Sequence, residues 1–368
     1  MIKYLLLLLI ISANLFSRVI DESTAFIVAN NFLINNGLSL NGINNTNLVM
    51  KASRDDGSNY YYVFGDEEEF VIVSGHDEVV PILAYSTESG FDPKNIPQNA
   101  AKWLESYKKQ IRYILENDIE QTDDIARKWD DLYKGKKFER ITSSVGPLVS
   151  AKWNQGEYYN DLCPWDSRYN DRAVTGCVAT AMAMIMHHHS YPEKGEGIHS
   201  YVHEQYGTLS ANFGATTYNW NAMPNSVSSR NTSVATLMYH CGVAVNMNYD
   251  VSRNGGSGAY VIESQYYEAS AEEALKTYFG YNNAYSLLRD NNSESEWVST
   301  LKAELDKNHP ILYAGFGNGG GHAFVCDGYD NNDYFHFNWG WGGYYDGYFY
   351  MNELNPGGVG TGGGSGGY

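Results

Sequence analysis

Behind Lys3, residues Leu5 to Ile11 form an unbroken apolar stretch that gives way to small residues around Ser12, Ala13 and Ser17. A cation, a short apolar run and then small residues predict a secretory signal over 1–17, too short to span a bilayer. Asp21-Glu22-Ser23 reads as the cap of a helix reaching about Asn36. Apolar or alternating runs at Tyr60–Phe64, Phe70–Val73 and Ile82–Tyr85 predict strands of one small sheet. From Ala100 to about Asn117, Trp103, Tyr107, Ile111 and Ile114 recur at helical spacing, the stripe of a helix facing a core. Between Asp118 and Ser144 the pattern dissolves into charge. It ends in Lys134-Gly135-Lys136-Lys137-Phe138-Glu139-Arg140, which reads as a solvated basic linker where proteases cut.

The sequence then turns rich in Tyr, Gly and Trp. The pattern predicts helices at Cys177–His189, Thr232–Cys241, Ala269–Phe279 and Glu296–Lys307, followed by strands at Ile311–Phe316, His322–Tyr329, Tyr334–Trp339 and Gly347–Asn352. Helices first and an antiparallel sheet last is an α+β order. Two units are therefore expected, 18–140 with the basic linker at its end and 141–368, the second ending in a glycine-rich tail from Gly357 that reads as flexible.

Composition narrows the functional classes. The 368 residues are 43% apolar and 18% charged, enough to bury a sizeable core. Net charge is −18, with −6 up to residue 140 and −12 beyond, and an acidic surface repels phosphates, so nucleic acid is not an expected partner. No later stretch is long and apolar enough for a membrane anchor. Cys163, Cys177, Cys241 and Cys326 lack the close spacing of a metal site, and a reactive Cys177 would leave an odd number for pairing.

The stretch "AVTGCVATAMAMIMHHHSYP" raises the chemical question, because it puts a thiol at the head of a buried helix. A thiol attacks only as thiolate, and a helix N-terminus stabilises that anion. Gly176 allows a tight turn there, and Thr175 is the expected cap. His187, His188 and His189 point in different directions from consecutive helical positions and cannot share one ion, so no metal and no cofactor is expected. His322 is the candidate base. It follows a run of glycines whose bareness leaves room for a substrate chain, and it begins the apolar strand "HAFVCDGYD". Asn338 would orient the imidazole and Trp339 would shield that bond from water. Gln155, upstream in "KWNQGEYYN", would join the backbone N–H of Cys177 in an oxyanion hole.

"WNQGEYYN", "TGCVATAMAMIM", "GGHAFVCDGYD" and "NWGWGG", in that order, resemble the streptopain family of secreted cysteine peptidases, which have a papain-like fold. "EFVIVSGHDEVVPILAYSTESGFD" and "KWLESYKKQI" resemble the inhibitory propeptide of the same enzymes. The resemblance implies a papain-like domain preceded by a small α+β propeptide that inhibits it in cis, with polypeptides as substrates. It implies Cys177 as nucleophile, His322 as base, Gln155 in the oxyanion hole, and Asn338 and Trp339 around the histidine. Ser257 in "GGSGA" and Gly321 match positions lining the substrate cleft. In the family a further strand follows the glycine-rich loop, so the tail is expected to be loose here. The same Cys-His chemistry also serves cell-wall amidases and transglutaminases, and a non-catalytic adhesin or inhibitor built on this fold is a third alternative.

Overall fold

The computed structural model describes residues 19–36, 47–136, 144–263, 269–317 and 320–355. The expected signal over 1–17, the end of the basic linker and the glycine-rich tail lie outside the described residues.

The N-terminal unit begins with α1 (Glu22–Asn35), whose cap is Asp21: its carboxylate accepts from the Thr24 N–H at 2.7 Å. Four antiparallel strands follow, β1 (Leu48–Ser53), β2 (Asn59–Gly65), β3 (Phe70–Ser74) and β4 (Ile82–Ser86). Every residue of β3 and β4 is buried, so these strands have cores on both faces. Next comes α2 (Gln98–Glu116), which buries the expected stripe of Trp103, Tyr107, Ile111 and Ile114.

The charged segment after it is not simply a linker. Residues Asp123–Tyr133 form α3, capped by the Thr122 hydroxyl. Ile125, Trp129 and Leu132 are spaced to share one face and are buried, while acidic and basic residues cover the rest. The Trp129 indole N–H also donates to the Val79 carbonyl at 2.8 Å. Three apolar residues with this spacing are enough to dock a helix on a surface that already exists.

The second unit contains the short pair β5 (Trp165–Asp166) and β6 (Asp171–Arg172), α4 (Cys177–His189) and the hairpin β7 (His199–His203) and β8 (Gly207–Ala211). These are followed by α5 (Thr232–Ala244), α6 (Ala271–Phe279) and α7 (Glu294–Leu305). A second antiparallel run closes the chain, β9 (Ile311–Gly317), β10 (Gly320–Tyr329), β11 (Tyr334–Asn338) and β12 (Gly347–Tyr350).

The N-terminal strands do not make a separate sheet. Both runs join in one eight-stranded sheet of order β1-β2-β3-β4-β12-β11-β10-β9. The seam is β4 against β12, with Tyr85 opposite Tyr348 and Ala84 opposite Phe349. The Tyr107 hydroxyl on α2 crosses it, 2.8 Å from the carbonyls of both Leu83 and Tyr350. The pleat of β10 then divides the interior. Ala323 and Val325 pack with α4 and α5 in one core, while Phe324 and Cys326 pack with α2 and α7 in the other. Helices from both units thus press on the strand that carries His322.

Candidate active site

Gly176 turns the chain into α4 with φ +86° and ψ 144°, a conformation open essentially to glycine alone, which makes Cys177 the first helical residue. Thr175 is not the cap. Its hydroxyl lies 2.8 Å from that of Thr180, and the cap position is Gly176, which has no side chain to offer. The first N–H groups of α4 therefore lack a side-chain acceptor, and the positive end of the helix faces the thiol.

The Cys177 sulfur is half-buried and accepts from the Ala323 N–H at 3.4 Å. That bond sets the sulfur against β10 one residue past His322. Burial pushes the thiol up, and the N–H groups of Ala323, Val178 and Cys177 itself oppose the shift. His322 is the third residue of β10, opposite Gly315 of β9, so it lies inside the sheet rather than at its edge. Burial pushes its imidazole below the ordinary histidine range, and the Lys102 ammonium on α2 pushes it further. Both shifts favour a neutral thiol and a neutral imidazole. The thiolate–imidazolium pair is disfavoured, in part by Lys102 on α2.

The remaining candidates lie on segments that border α4 and β10. Gln155 is buried, and its carbonyl accepts from the Thr175 N–H at 3.0 Å, two residues before Cys177. Asn338 pairs with Val325 across β10 and β11. Its Nδ2 donates to the Ala151 carbonyl at 2.9 Å, and its Oδ1 accepts from the Gly340 N–H at 3.1 Å. The Gly342 N–H donates to the Trp153 carbonyl at 2.9 Å, so the turn after Asn338 is laced to the segment carrying Gln155. Trp339 is fully buried among Phe324, Phe337 and Phe349, its indole N–H donating to the Tyr345 carbonyl at 2.9 Å.

Ser257 and Gly321 lie on separate segments. The Ser257 hydroxyl donates to the Val174 carbonyl at 2.6 Å and accepts from the Asp250 N–H at 3.0 Å, so it ties its loop to the segment entering α4. Gly321 is exposed at the start of β10. His187 and His188 bond to the carbonyls of Met223 and Leu148, each at 2.9 Å. Cys163, Cys241 and Cys326 are buried free thiols, and burial pushes Cys163 up to about 12.

Two residues that sequence reasoning missed, Asn99 and Lys102, come from α2. Asn99 is fully buried and donates its Nδ2 to the Trp339 carbonyl at 2.7 Å. One turn on, Trp103 meets the Phe337 ring edge-on with centroids 4.8 Å apart, and Lys102 acts on His322. The sequence signal was a polar Asn one turn ahead of Trp103 on the same stripe.

A thiol at a helix head, a histidine on the strand beneath it and a second unit built into the same sheet define a cysteine peptidase made as a zymogen. The chain belongs to the peptidase C10 family, which it matches over residues 153–349, while residues 17–111 match the Spi protease inhibitor family. It is 38% identical over 342 residues to a streptopain of Streptococcus pyogenes, covering 85% of this chain and 78% of that protein. It is 34% identical over 337 residues to the thiol protease/hemagglutinin PrtT of Porphyromonas gingivalis, covering 86% of this chain but only 36% of that protein. Among solved structures, a mutant prointerpain A fragment of Prevotella intermedia aligns with a TM-score of 0.64 at 32% identity, over 84% of this chain and 93% of that one. Active interpain A, a cysteine protease of the same organism, aligns with a TM-score of 0.53 at 38% identity, over 60% of this chain and 91% of that one. Among the described residues no helix is long and apolar enough to cross a membrane.

Proposed function

We propose that this cysteine peptidase is a secreted endopeptidase in which Cys177 attacks the peptide carbonyl and His322 moves the proton. Residues 1–17 are its signal peptide, 18–140 its inhibitory propeptide and 141–368 its peptidase domain. The observation that carries the reading is the Ala323 N–H on the Cys177 sulfur, which holds the thiol of α4 beside the strand of His322. His322 takes the thiol proton, and the thiolate adds to the carbonyl of a polypeptide substrate. The developing oxyanion is met by the Gln155 amide and the Cys177 N–H. His322 returns the proton to the leaving amine, and water then hydrolyses the thioester. Asn338 Oδ1 has a second lone pair beyond the one used by Gly340, which supports its role as acceptor from the imidazole. Trp339 walls that bond off from water, and the loop of Ser257 and the bare backbone at Gly321 flank the incoming chain.

The test is substitution of each thiol. Cys177→Ser should abolish casein hydrolysis, whereas Cys163→Ser and Cys241→Ser should retain it; loss in a Cys241 variant alone would overturn the assignment. Wild type should also convert from ~41 kDa to ~25–26 kDa by a cut between about Lys134 and Pro147, the charged stretch between the two units. Pure Cys177→Ala protein should stay full length.

A further inference from the structure

A buried charge cluster lies at the seam between the units, apart from the Cys177 site. His336 on β11 is 2% exposed, and each of its ring nitrogens meets a carboxylate. Nδ1 lies 2.5 Å from Asp327 Oδ1 of β10, and Nε2 lies 2.6 Å from Glu88 Oε1, which belongs to the N-terminal unit just after β4. A carboxylate only accepts, so two of them on one ring require both nitrogens to donate, and the ring is an imidazolium. Asp327 is fully buried and accepts from the Val149 N–H at 2.9 Å, which fixes the ring from behind. Lys152 donates to the other Glu88 oxygen at 2.9 Å. The Tyr348 ring packs edge-on against His336, and Tyr85 stacks on Tyr348, with centroids 5.1 Å apart in each pair. The surrounding segment docks as a unit: Ser86 donates to the Asp346 carbonyl at 2.6 Å, and the Ser89 hydroxyl accepts from the Tyr345 N–H at 2.7 Å.

We propose that His336 and Lys152 form a carboxylate-binding site on the peptidase unit, filled in cis by Glu88, through which that unit recognises and holds its propeptide. The ligand class is an acidic side chain two residues beyond an extended strand paired to β12. No step of peptide hydrolysis enters the argument, so it stands or falls separately from the roles given to Cys177 and His322.

The charges facing the ring are Glu88, Asp327 and Asp346, with Lys152 on the far side of Glu88 and Tyr348 as a neutral wall. Hydrogen bonding from His336 holds Glu88 down to about 2. Burial opposes the charge on His336 but is outweighed by Asp327 and Glu88, which hold it up to about 10. Burial pushes Asp346 up to about 7. A raised histidine contributes fully below its ordinary value of 6.5 and loses that contribution as pH rises towards 10. A depressed glutamate contributes above its ordinary 4.5 and loses that contribution as pH falls towards 2. Asp346 contributes below its ordinary 3.8 and loses that contribution as pH rises towards 7, so the seam is tightest near pH 4.5 and loosens as the medium becomes alkaline.

Hydrogen exchange on the full-length Cys177→Ala chain reads this directly. At pH 6 the amides of β4 and β12 should be protected, and E88Q should lower their protection about 10–100-fold, the worth of a hydrogen bond to a charged group. Between pH 6 and 9, protection at this seam should fall in the parent and fall less in E88Q, where Asp327 alone still holds His336 up, with E88D recovering part of the lost pH dependence. Amides of β2 and β10 serve as the internal reference. Unchanged seam protection in E88Q would overturn the proposal, and so would a loss shared equally by β2 and β10, because Glu88 would then support the whole sheet rather than this contact.

Discussion

Asn99 of the propeptide helix donates its side-chain amide to the main-chain carbonyl of Trp339, 2.7 Å away and fully enclosed. The bond joins the inhibitory unit to the residue next to Asn338. Asn99→Ala leaves that carbonyl buried without its partner, a cost of about 1–3 kcal/mol borne only by the closed zymogen. The full-length chain should then convert to the mature size about tenfold faster, measured as a gel time course. Trp103→Ala should act more strongly, since emptying a buried tryptophan site costs about 3–5 kcal/mol. Conversion at the parent rate in both variants would mean that α2 is not what restrains the site.

Lys102 gives a second, purely electrostatic handle on the same restraint. Burial raises the Cys177 thiol, while burial and then Lys102 lower the His322 imidazole. Iodoacetamide labelling of Cys177 in the intact zymogen should therefore rise only above the ordinary thiol range near ~8.5. In the processed enzyme, free of α2, labelling should already be substantial at neutral pH. Lys102→Met should shift the zymogen's labelling profile to lower pH without loosening the aromatic contacts of Trp103. Superimposable profiles for zymogen and processed enzyme would rule the electrostatic account out.

How much of this was legible from the chain alone depends on the range of the interaction. The bounds of α4 follow from local signals, a glycine that only a turn needs and then an unbroken Ala/Met run, and they match the structure from Cys177 to His189. The runs of β9 to β12 were equally plain. The seam of Tyr85 with Tyr348 was not, because strand pattern says which residues are buried but not which distant strand they pair with. Helix α3 was hidden because Ile125, Trp129 and Leu132 are few among charges. The hairpin β7–β8 was hidden because His199–His203 alternates between partly and fully exposed positions until its last residue, leaving little apolar signal. Gln155, Cys177, His322 and Asn338 could be singled out by residue type, but the main-chain groups that hold Gln155, Cys177 and Asn338, at Thr175, Ala323 and Ala151, are encoded by no motif.

Gln155 offers a test of transition-state stabilisation that leaves binding alone. Its backbone is anchored through the Thr175 N–H, so truncating the side chain removes an amide donor without releasing the segment. Gln155→Ala in the processed enzyme should lower kcat roughly 10²–10³-fold with KM nearly unchanged, the magnitude seen when one oxyanion donor is lost. Steady-state kinetics on a fluorogenic peptide separates the two constants. A raised KM at constant kcat would place Gln155 in substrate binding instead.

Gly176 is the position where fold and chemistry meet most tightly. At φ +86° and ψ 144° any side chain is strained, a cost of order 1–3 kcal/mol. A Cβ there would also come within 2.7 Å of the Met247 sulfur and 3.1 Å of the Ser257 carbonyl oxygen. The thioether is flexible and can move away. The carbonyl cannot, because the Ser257 hydroxyl ties its loop to Val174 at 2.6 Å. Gly176→Ala should therefore rotate the start of α4 and draw the Cys177 sulfur off the Ala323 N–H, while the buried Met182–Met186 half of the helix keeps its packing. The expected result is a folded protein, with Tm lowered by a few degrees, whose Cys177 labels with iodoacetamide at the rate of an ordinary thiol and whose casein hydrolysis falls by at least tenfold. Full activity with the same fall in Tm would show that the turn serves stability alone and that the sulfur finds its place without it.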